Sequence, residues 1–222
     1  RDLVRSRGLG DVYKRQLFVP LVGEKFDGHE FIKAAFDLGA SAVLTQRDTE
    51  LLVDKTIVKV EDTLKAFGDI AKYYKQKYNV PTVSVTGSVG KTTTKDMLAS
   101  VLSQKYNTLK TMGNFNNEIG LPIPIFGLEK EHEAAVLEMG MNHFGEIEHL
   151  ADIGRPDVAV ITNIGQSHIE NLGSREGILK SKLEILDGLE AGSPFIINVD
   201  NDMLKTILDK DEIMEKYDVI TF

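Results

Sequence analysis

The decapeptide at 86–95, TGSVGKTTTK, is a glycine-bracketed turn ending in Lys91 and a run of threonines. Ahead of it Val83, Ser84 and Val85 alternate as a short buried strand does, and behind it Met97, Leu98, Val101 and Leu102 recur at helical spacing. Gly87 and Gly90 permit backbone angles that a side chain forbids. Successive N–H groups can then point inward at phosphate oxygens beside the positive end of the helix dipole. Thr86, Gly87, Ser88, Val89, Gly90, Lys91, Thr92 and Thr93 would form the cradle, with Lys91 reaching the outer phosphates and the Thr92 hydroxyl available to Mg2+. Val85 stands where the strict eight-residue pattern has glycine, so the loop is a variant of it. The alternative is an ordinary turn between strand and helix.

Outward from this loop, apolar strands alternate with helical patterns. After Pro81 the expected order is strand 82–86, helix 92–105, strand 134–138, helix 144–152, strand 158–163, helix 174–189, strand 194–199, a further helix and a last apolar run, 218–222. Strands alternating with helices imply a parallel sheet covered on both faces, with ligands at the carboxyl ends of the strands. The fold class is therefore α/β, a P-loop-type parallel sheet domain flanked by helices, preceded by a small, incomplete α/β domain. That first domain reads as strand 17–21, helix 29–38 stopped by Gly39, and strands 41–45 and 56–60. A helix capped by Asp62 then carries Leu64, Phe67, Ala71, Tyr74 and Tyr78 on one stripe. Pro81 biases the residue before it toward an extended conformation, and the boundary is set there, giving domains at 17–80 and 81–222. Residues 1–16 are basic and lack a sustained period; they read as a non-native leader, a native basic arm being the alternative.

The formal charge of −8 over 222 residues offers no field that attracts a polyanion, so neither nucleic acid nor an anionic membrane is an expected partner. A phosphate ligand must instead be neutralised locally. With no cysteine, disulfides and thiolate chemistry are excluded, which fits a reducing cytoplasm. No apolar run has the length of a membrane span, and no signal peptide is evident.

Other strand ends offer polar groups to the edge that carries the loop. Ala134–Leu137 is an apolar run delivering Glu138, where an acidic Mg2+ ligand is common in phosphate-loop proteins, or where a carboxylate simply caps the next turn. Val158–Ile161 delivers a polar segment, 162–168, ending in His168, which is placed for a metal or phosphate contact unless it is merely solvated. On the helix beginning at Ser174, Ile178, Leu179, Leu183, Ile185, Leu186 and Leu189 share a broad arc at about 100° per residue. Lys182 falls near its middle, whereas Lys180 projects to the opposite side. Lys182 either snorkels outward or is buried with a lowered pKa, in which case its neutral amine can react with carbon dioxide to give a carbamate. Asn114, Asn116 and Asn117 suit a sugar, phosphate or amide ligand, and equally suit turns.

Together these segments resemble the Mur ligases, the ATP-dependent amide-forming enzymes of peptidoglycan synthesis. The resemblance rests on LFVPLVGEKFDGHEF at 17–31, TGSVGKTTTK at 86–95, GNFNNEIGLP at 113–122, LEMGMNHFGEIEHLADIGRPDVAVITNIGQSHIENLGS at 137–174 and KSKLEIL at 180–186. GNFNNEIGLP and the start of the fourth string resemble the dipeptide-adding branch in particular; a sister ligase, a folylpolyglutamate-type ligase or a non-catalytic nucleotide-binding module are the alternatives.

The resemblance implies ATP and Mg2+ as cofactors, and UDP-muramoyl-tripeptide and D-alanyl-D-alanine as small-molecule partners joined through an acyl phosphate. It implies that Lys91 stabilises the transferring phosphoryl group, that Thr92 and Glu138 hold the nucleotide Mg2+, and that His168 with Lys182 as carbamate hold a second ion. Asn114, Asn116 and Asn117 are implied to approach the muramoyl substrate, and Asp27, Gly28 and His29 to belong to the uridine-diphosphate domain. A monomer without membrane insertion is expected. Family members carry a Ser-Arg pair for uridine ahead of the first strand; Ser6-Arg7 has a different spacing and setting. Their carboxy-terminal domain has no counterpart before Phe222, so the chain is expected to be a fragment inactive by itself.

Overall fold

The computed structural model describes residues 16–23, 26–48 and 55–222. Its packing falls into two compact units that divide between Ile70 and Ala71, inside a helix rather than at Pro81. Residues 1–15, including Ser6 and Arg7, lie outside the described part. Gln16, the last residue of the expected leader, is buried, and its carbonyl accepts from the Ser41 N–H at 2.8 Å.

In the first unit, β1 (Leu17–Phe18), β4 (Ala42–Thr45) and β5 (Thr56–Lys59) form a parallel sheet in the order β1-β4-β5. Between β1 and β4, β2 (Val22–Gly23) and β3 (Phe26–Asp27) pair antiparallel, and a 3-10 turn at Gly28–Phe31 leads into α1 (Ile32–Asp37). The strand expected over 17–21 stops at Phe18. Pro20 follows, and proline cannot donate to a ladder. Phe18, Ile32, Ala35, Phe36, Ala40 and Val43 make this unit's core. Asp62 caps α2 (Thr63–Gln76) as expected, its Oδ1 accepting from Leu64 N–H at 2.7 Å and Lys65 N–H at 2.9 Å.

The second unit contains β6 (Thr82–Thr86), α3 (Lys91–Leu102), β7 (Thr108–Lys110), α4 (Pro122–Ile125), β8 (Ala134–Glu138), α5 (Glu146–Gly154) and β9 (Val158–Ile161). It continues through α6 (Ile169–Leu172), α7 (Arg175–Leu183), a 3-10 turn at Glu184–Gly188, β10 (Pro194–Ile197), α8 (Asp202–Lys205), α9 (Asp211–Met214) and β11 (Asp218–Thr221). The strands form a six-stranded parallel sheet in the order β11-β10-β9-β6-β8-β7. From β6 the chain first moves to one side of the sheet, through β7 and β8, and then crosses to β9 on the other. The loops after β6, β8 and β9 therefore meet at the switch point, where a crevice opens in folds of this kind.

Side chains alternate faces along these buried strands. Val85, Val136 and Val160 pack with Ala99 of α3 on one face, while Leu137, Met139, Ala159 and Ile161 join Ile147, Leu150, Ile178 and Ile185 on the other. The sequence reading missed β7, a three-residue edge strand, and α4 and α6, single turns too short for a periodic signal. The helix expected over 174–189 ends at Leu183 and tightens into the 3-10 turn, and α5 runs two residues later than expected at both ends. No described helix is long and apolar enough to cross a membrane.

Candidate active site

The loop after β6 is held in shape by the end of β9. Gly87 has φ +152° and lies so close to Thr162 that a Cβ there would sit 1.9 Å from Thr162 Oγ1. The Thr162 hydroxyl donates to Val89 O at 2.6 Å, Asn163 O accepts from the Ser88 N–H at 3.0 Å, and Asn163 Oδ1 accepts from the Val89 N–H at 2.9 Å. Ser88 Oγ accepts from the Gly165 N–H at 2.9 Å. Gly90, at φ +82°, is the N-cap of α3 and supplies no capping side chain. The first-turn amides at Lys91, Thr92 and Thr93 therefore keep their donors for an outside acceptor. Thr92 and Thr93 are exposed; Lys91 is half-buried, and its Nζ donates to Gly87 O at 2.8 Å.

Glu138 is 1% exposed at the end of β8. Its Oε1 accepts from Asn116 Nδ2 at 2.8 Å, and its N–H donates to Thr111 Oγ1 at 3.0 Å. Among the described residues Oε2 has no hydrogen-bond partner; Lys95 Nζ lies 3.5 Å away. The Thr86 hydroxyl, at the end of the adjacent strand, is likewise buried without a partner. Unpaired buried oxygens are costly, and at a strand-end crevice they suit a ligand that brings positive charge or donors. Among the described residues no three His, Cys, Asp or Glu side chains cluster in a metal-binding group. A cation at Glu138 would have to draw its other ligands from hydroxyls, water or phosphate oxygens, as Mg2+ beside a nucleotide does.

Burial lowers the Lys91 ammonium below the usual lysine range, opposed by the charge of Glu138. Lys182 is 2% exposed, so it does not snorkel, and the arc that placed it inward is the one buried against Ile178, Leu179 and Ile185. Burial, reinforced by the Lys91 charge, brings its pKa down to about 7. Lys180 is exposed and rests over the Phe144 ring, 5.8 Å from its centroid. Lys91 is thus within electrostatic reach of both Glu138 and Lys182, so that α3, β8 and α7 meet at one locality. Beyond Lys182 the Glu184 carboxylate accepts from the Gly145 N–H at 2.9 Å, tying the 3-10 turn to the start of α5.

His168 is half-buried in a left-handed conformation, φ +65°, at the start of α6. Among the described residues no hydrogen bond or ion pair joins its ring to Glu138, Lys182 or the loop. The asparagines separate in role. Asn116 orients Glu138, Asn117 Oδ1 accepts from the Gly120 N–H at 2.8 Å within a turn, and Asn114 is exposed. In the first unit, Asp27 Oδ1 accepts from the His29 N–H at 3.0 Å and from His29 Nδ1 at 2.7 Å, while His29 Nε2 accepts from the Gln46 N–H at 3.2 Å. Those partners place the ring proton on Nδ1. Gly28 is buried and its N–H donates to Leu21 O at 2.9 Å. This turn spends its polar groups on itself and on the neighbouring Gln46 and Arg47, Asp27 Oδ2 pairing with the Arg47 guanidinium; the His29 hydrogen bonds, chiefly, lower the Asp27 carboxyl.

One expectation about α3 holds only in part. Leu98 and Leu102 pack against the Val85, Val136 and Val160 cluster, but Met97 and Val101 are 65% and 70% exposed, and the helix buries Lys95 and Ala99 beside the leucines. Thr162, Asn163 and Lys95 are the site residues that sequence reasoning passed over. Thr162 and Asn163 carried a usable signal, being the first polar residues after an apolar strand. Lys95 stands one turn after Lys91 and therefore on the same helix face.

Comparison with known proteins agrees with this geometry. The family profile described as Mur ligase middle domain matches residues 85–222, and the one described as Mur ligase family, catalytic domain matches residues 4–75. The second match includes part of the expected leader. The UDP-N-acetylmuramoyl-tripeptide--D-alanyl-D-alanine ligase of Bacillus subtilis (strain 168) is 48% identical over 193 residues, covering 86% of this chain and 42% of that protein. Among solved structures, MurF from Acinetobacter baumannii superposes with a TM-score of 0.91 at 32% identity, over 99% of this chain and 47% of that one. MurF ligase from Thermotoga maritima in complex with ADP gives 0.89 at 34% identity, over 100% of this chain and 50% of that one. The chain thus spans about half the length of these relatives, or somewhat less. Because the middle-domain profile alone accounts for more than half of the residues, this chain belongs to the Mur ligase family.

Proposed function

We propose that this chain forms the nucleotide-binding and acceptor-side portion of an ATP-dependent ligase that joins D-alanyl-D-alanine to UDP-N-acetylmuramoyl-tripeptide. The observation that carries the reading is the phosphate loop, locked to Thr162 and Asn163, beside a buried Glu138 whose Oε2 lacks a donor. The names of the Bacillus subtilis and Thermotoga maritima relatives supply the substrate and the nucleotide.

The uncapped start of α3 and the loop amides would hold the phosphates of ATP, with the Lys91 ammonium moving from Gly87 O to the transferring group. The Thr92 hydroxyl and Glu138 would hold Mg2+, which supplies charge neutralisation at the phosphates. Asn116 fixes one Glu138 oxygen and leaves the other without a donor among the described residues. Lys182, held near neutrality by burial, fits conversion to a carbamate, and with His168 it would offer ligands for a second ion near the acceptor carboxylate. In this reading that carboxylate takes the γ-phosphoryl group, and the amine of the dipeptide then displaces phosphate to form the amide. The protein contributes chiefly position and fixed charge.

Equilibrium binding of ADP with Mg2+ tests the nucleotide part on the chain itself. Binding by wild-type protein and its loss in a folded Lys91→Ala variant are expected; wild-type protein that binds no ADP would refute the reading. In a polypeptide extended to the length of the relatives, ATP and both substrates should yield ADP, phosphate and amide in equal amounts. ATP hydrolysis without amide would remove the substrate assignment.

A further inference from the structure

Lys95 is as deeply buried as Glu138, each being 1% exposed, yet the two are not locked together. Buried ionic partners ordinarily close to about 2.7–2.9 Å through charge-assisted hydrogen bonds. Here Lys95 Nζ lies 3.5 Å from Glu138 Oε2, 3.4 Å from Gly113 O and 3.8 Å from Asp96 Oδ1. One ammonium is shared among three oxygens from β8, the 113–120 segment and its own helix. Asp96 is in turn fixed by Lys110 Nζ at 2.8 Å, so the alternative acceptor is anchored. Glu138 Oε1 is taken by the neutral Asn116 amide. The Glu138 charge is therefore neutralised, while the lone pairs of Oε2 remain without a donor.

We propose that Lys95 is a stand-in cation. It balances Glu138 when no metal is present, yields toward Gly113 O and Asp96 when a divalent ion approaches Oε2, and so sets how weakly that ion is held. This makes Lys95 a positioning residue, and the proposal rests on the reading of Glu138 as a metal ligand. A purely structural ion pair predicts the reverse consequence for binding, because its loss would disorder Glu138 and weaken metal affinity.

The test is Mn2+ binding to the whole chain without nucleotide, followed by the free-ion electron paramagnetic resonance signal, with melting temperatures in parallel. Lys95→Met should bind Mn2+ at least tenfold more tightly than wild type, melt lower in the absence of metal, and gain more from Mn2+. Lys95→Arg, which keeps the charge, should stay near wild type. Mn2+ affinity that is unchanged or weaker in folded Lys95→Met overturns the proposal. If Lys95→Met is unfolded without metal, the double variant Lys95→Met/Glu138→Gln should recover the fold, since both charges leave together; failure of both proteins to fold, with or without Mn2+, also overturns it. Glu138→Gln separates the premise from the inference. If it binds Mn2+ as well as wild type does, Glu138 is no ligand and the underlying reading falls, whatever Lys95 does.

Discussion

Replacing Gly87 with alanine puts the joint between the phosphate loop and β9 under a defined strain. The new Cβ would fall 1.9 Å from Thr162 Oγ1 and 3.2 Å from Asn163 N, at a φ of +152° that side-chain-bearing residues rarely adopt. Thr162 must swing away, losing its 2.6 Å bond to Val89 O, worth about 1 kcal/mol. The backbone angle costs a further ~1–3 kcal/mol. Together Gly87→Ala should destabilise the chain by roughly 2–4 kcal/mol, lowering the melting temperature by about 5–15 °C for a protein of this size. Thr162→Ala alone forfeits the hydroxyl bond, again about 1 kcal/mol. In the Thr162→Ala background, however, the shortest clash no longer exists, and Gly87→Ala should cost only its backbone term. The double-variant cycle, read by urea denaturation with far-UV circular dichroism, should therefore fall short of additivity by about 1 kcal/mol or more. Additivity within about 0.5 kcal/mol would show that the two residues act independently, and the account of how the loop is held would be wrong.

Lys182 makes the stability depend on pH. Its folded pKa of about 7 lies below the ordinary value of 10.5, so between those limits the unfolded chain holds the extra proton. Wild-type stability should rise with pH across that interval by about 1.4 kcal/mol per unit. Lys182→Met should lose that part of the rise and keep only what Lys91 and the buried Lys75 add, since burial lowers their pKa values as well; parallel denaturation midpoints for the two proteins at pH 6, 8 and 10 in carbon-dioxide-free buffer would mean that Lys182 holds an ordinary ammonium. Bicarbonate at pH 8 should stabilise wild type and leave Lys182→Met unchanged, a test of carbamate formation that needs no substrate. Arg155 ends α5 in the left-handed region at φ +42°, where glycine carries no Cβ penalty. Arg155→Gly should raise stability by about 1 kcal/mol, seen as a higher melting temperature, and a loss would mean that the arginine side chain matters more than its backbone strain.

Much of the architecture was legible locally. Apolar runs ending in a polar residue marked β6, β8 and β9, and strand alternation with helices announced a parallel sheet, because each signal lies within a few residues. The inward position of Lys182 was readable for the same reason: a helical arc fixes angular position once neighbours at i, i+3 and i+4 are apolar. The rotation of α3 was only partly readable. Of the stripe Met97, Leu98, Val101 and Leu102, Leu98 and Leu102 pack on the sheet, whereas Met97 and Val101 are exposed and Lys95 and Ala99 are buried. Spacing describes an arc without saying which arc meets the partner.

By itself, then, the order of residues determined that a glycine turn ending in Lys91 joins a strand to a helix, and that Glu138 stands at a strand terminus. Tertiary structure alone decided that β6 lies between β8 and β9, although more than 45 residues separate it from either. It also decided that Thr162 closes on Gly87, that Asn116 orients Glu138, and that Asp27 and His29 satisfy each other. Those contacts depend on which distant backbones come within a few ångströms, a quantity set by packing of the whole sheet rather than by any local preference.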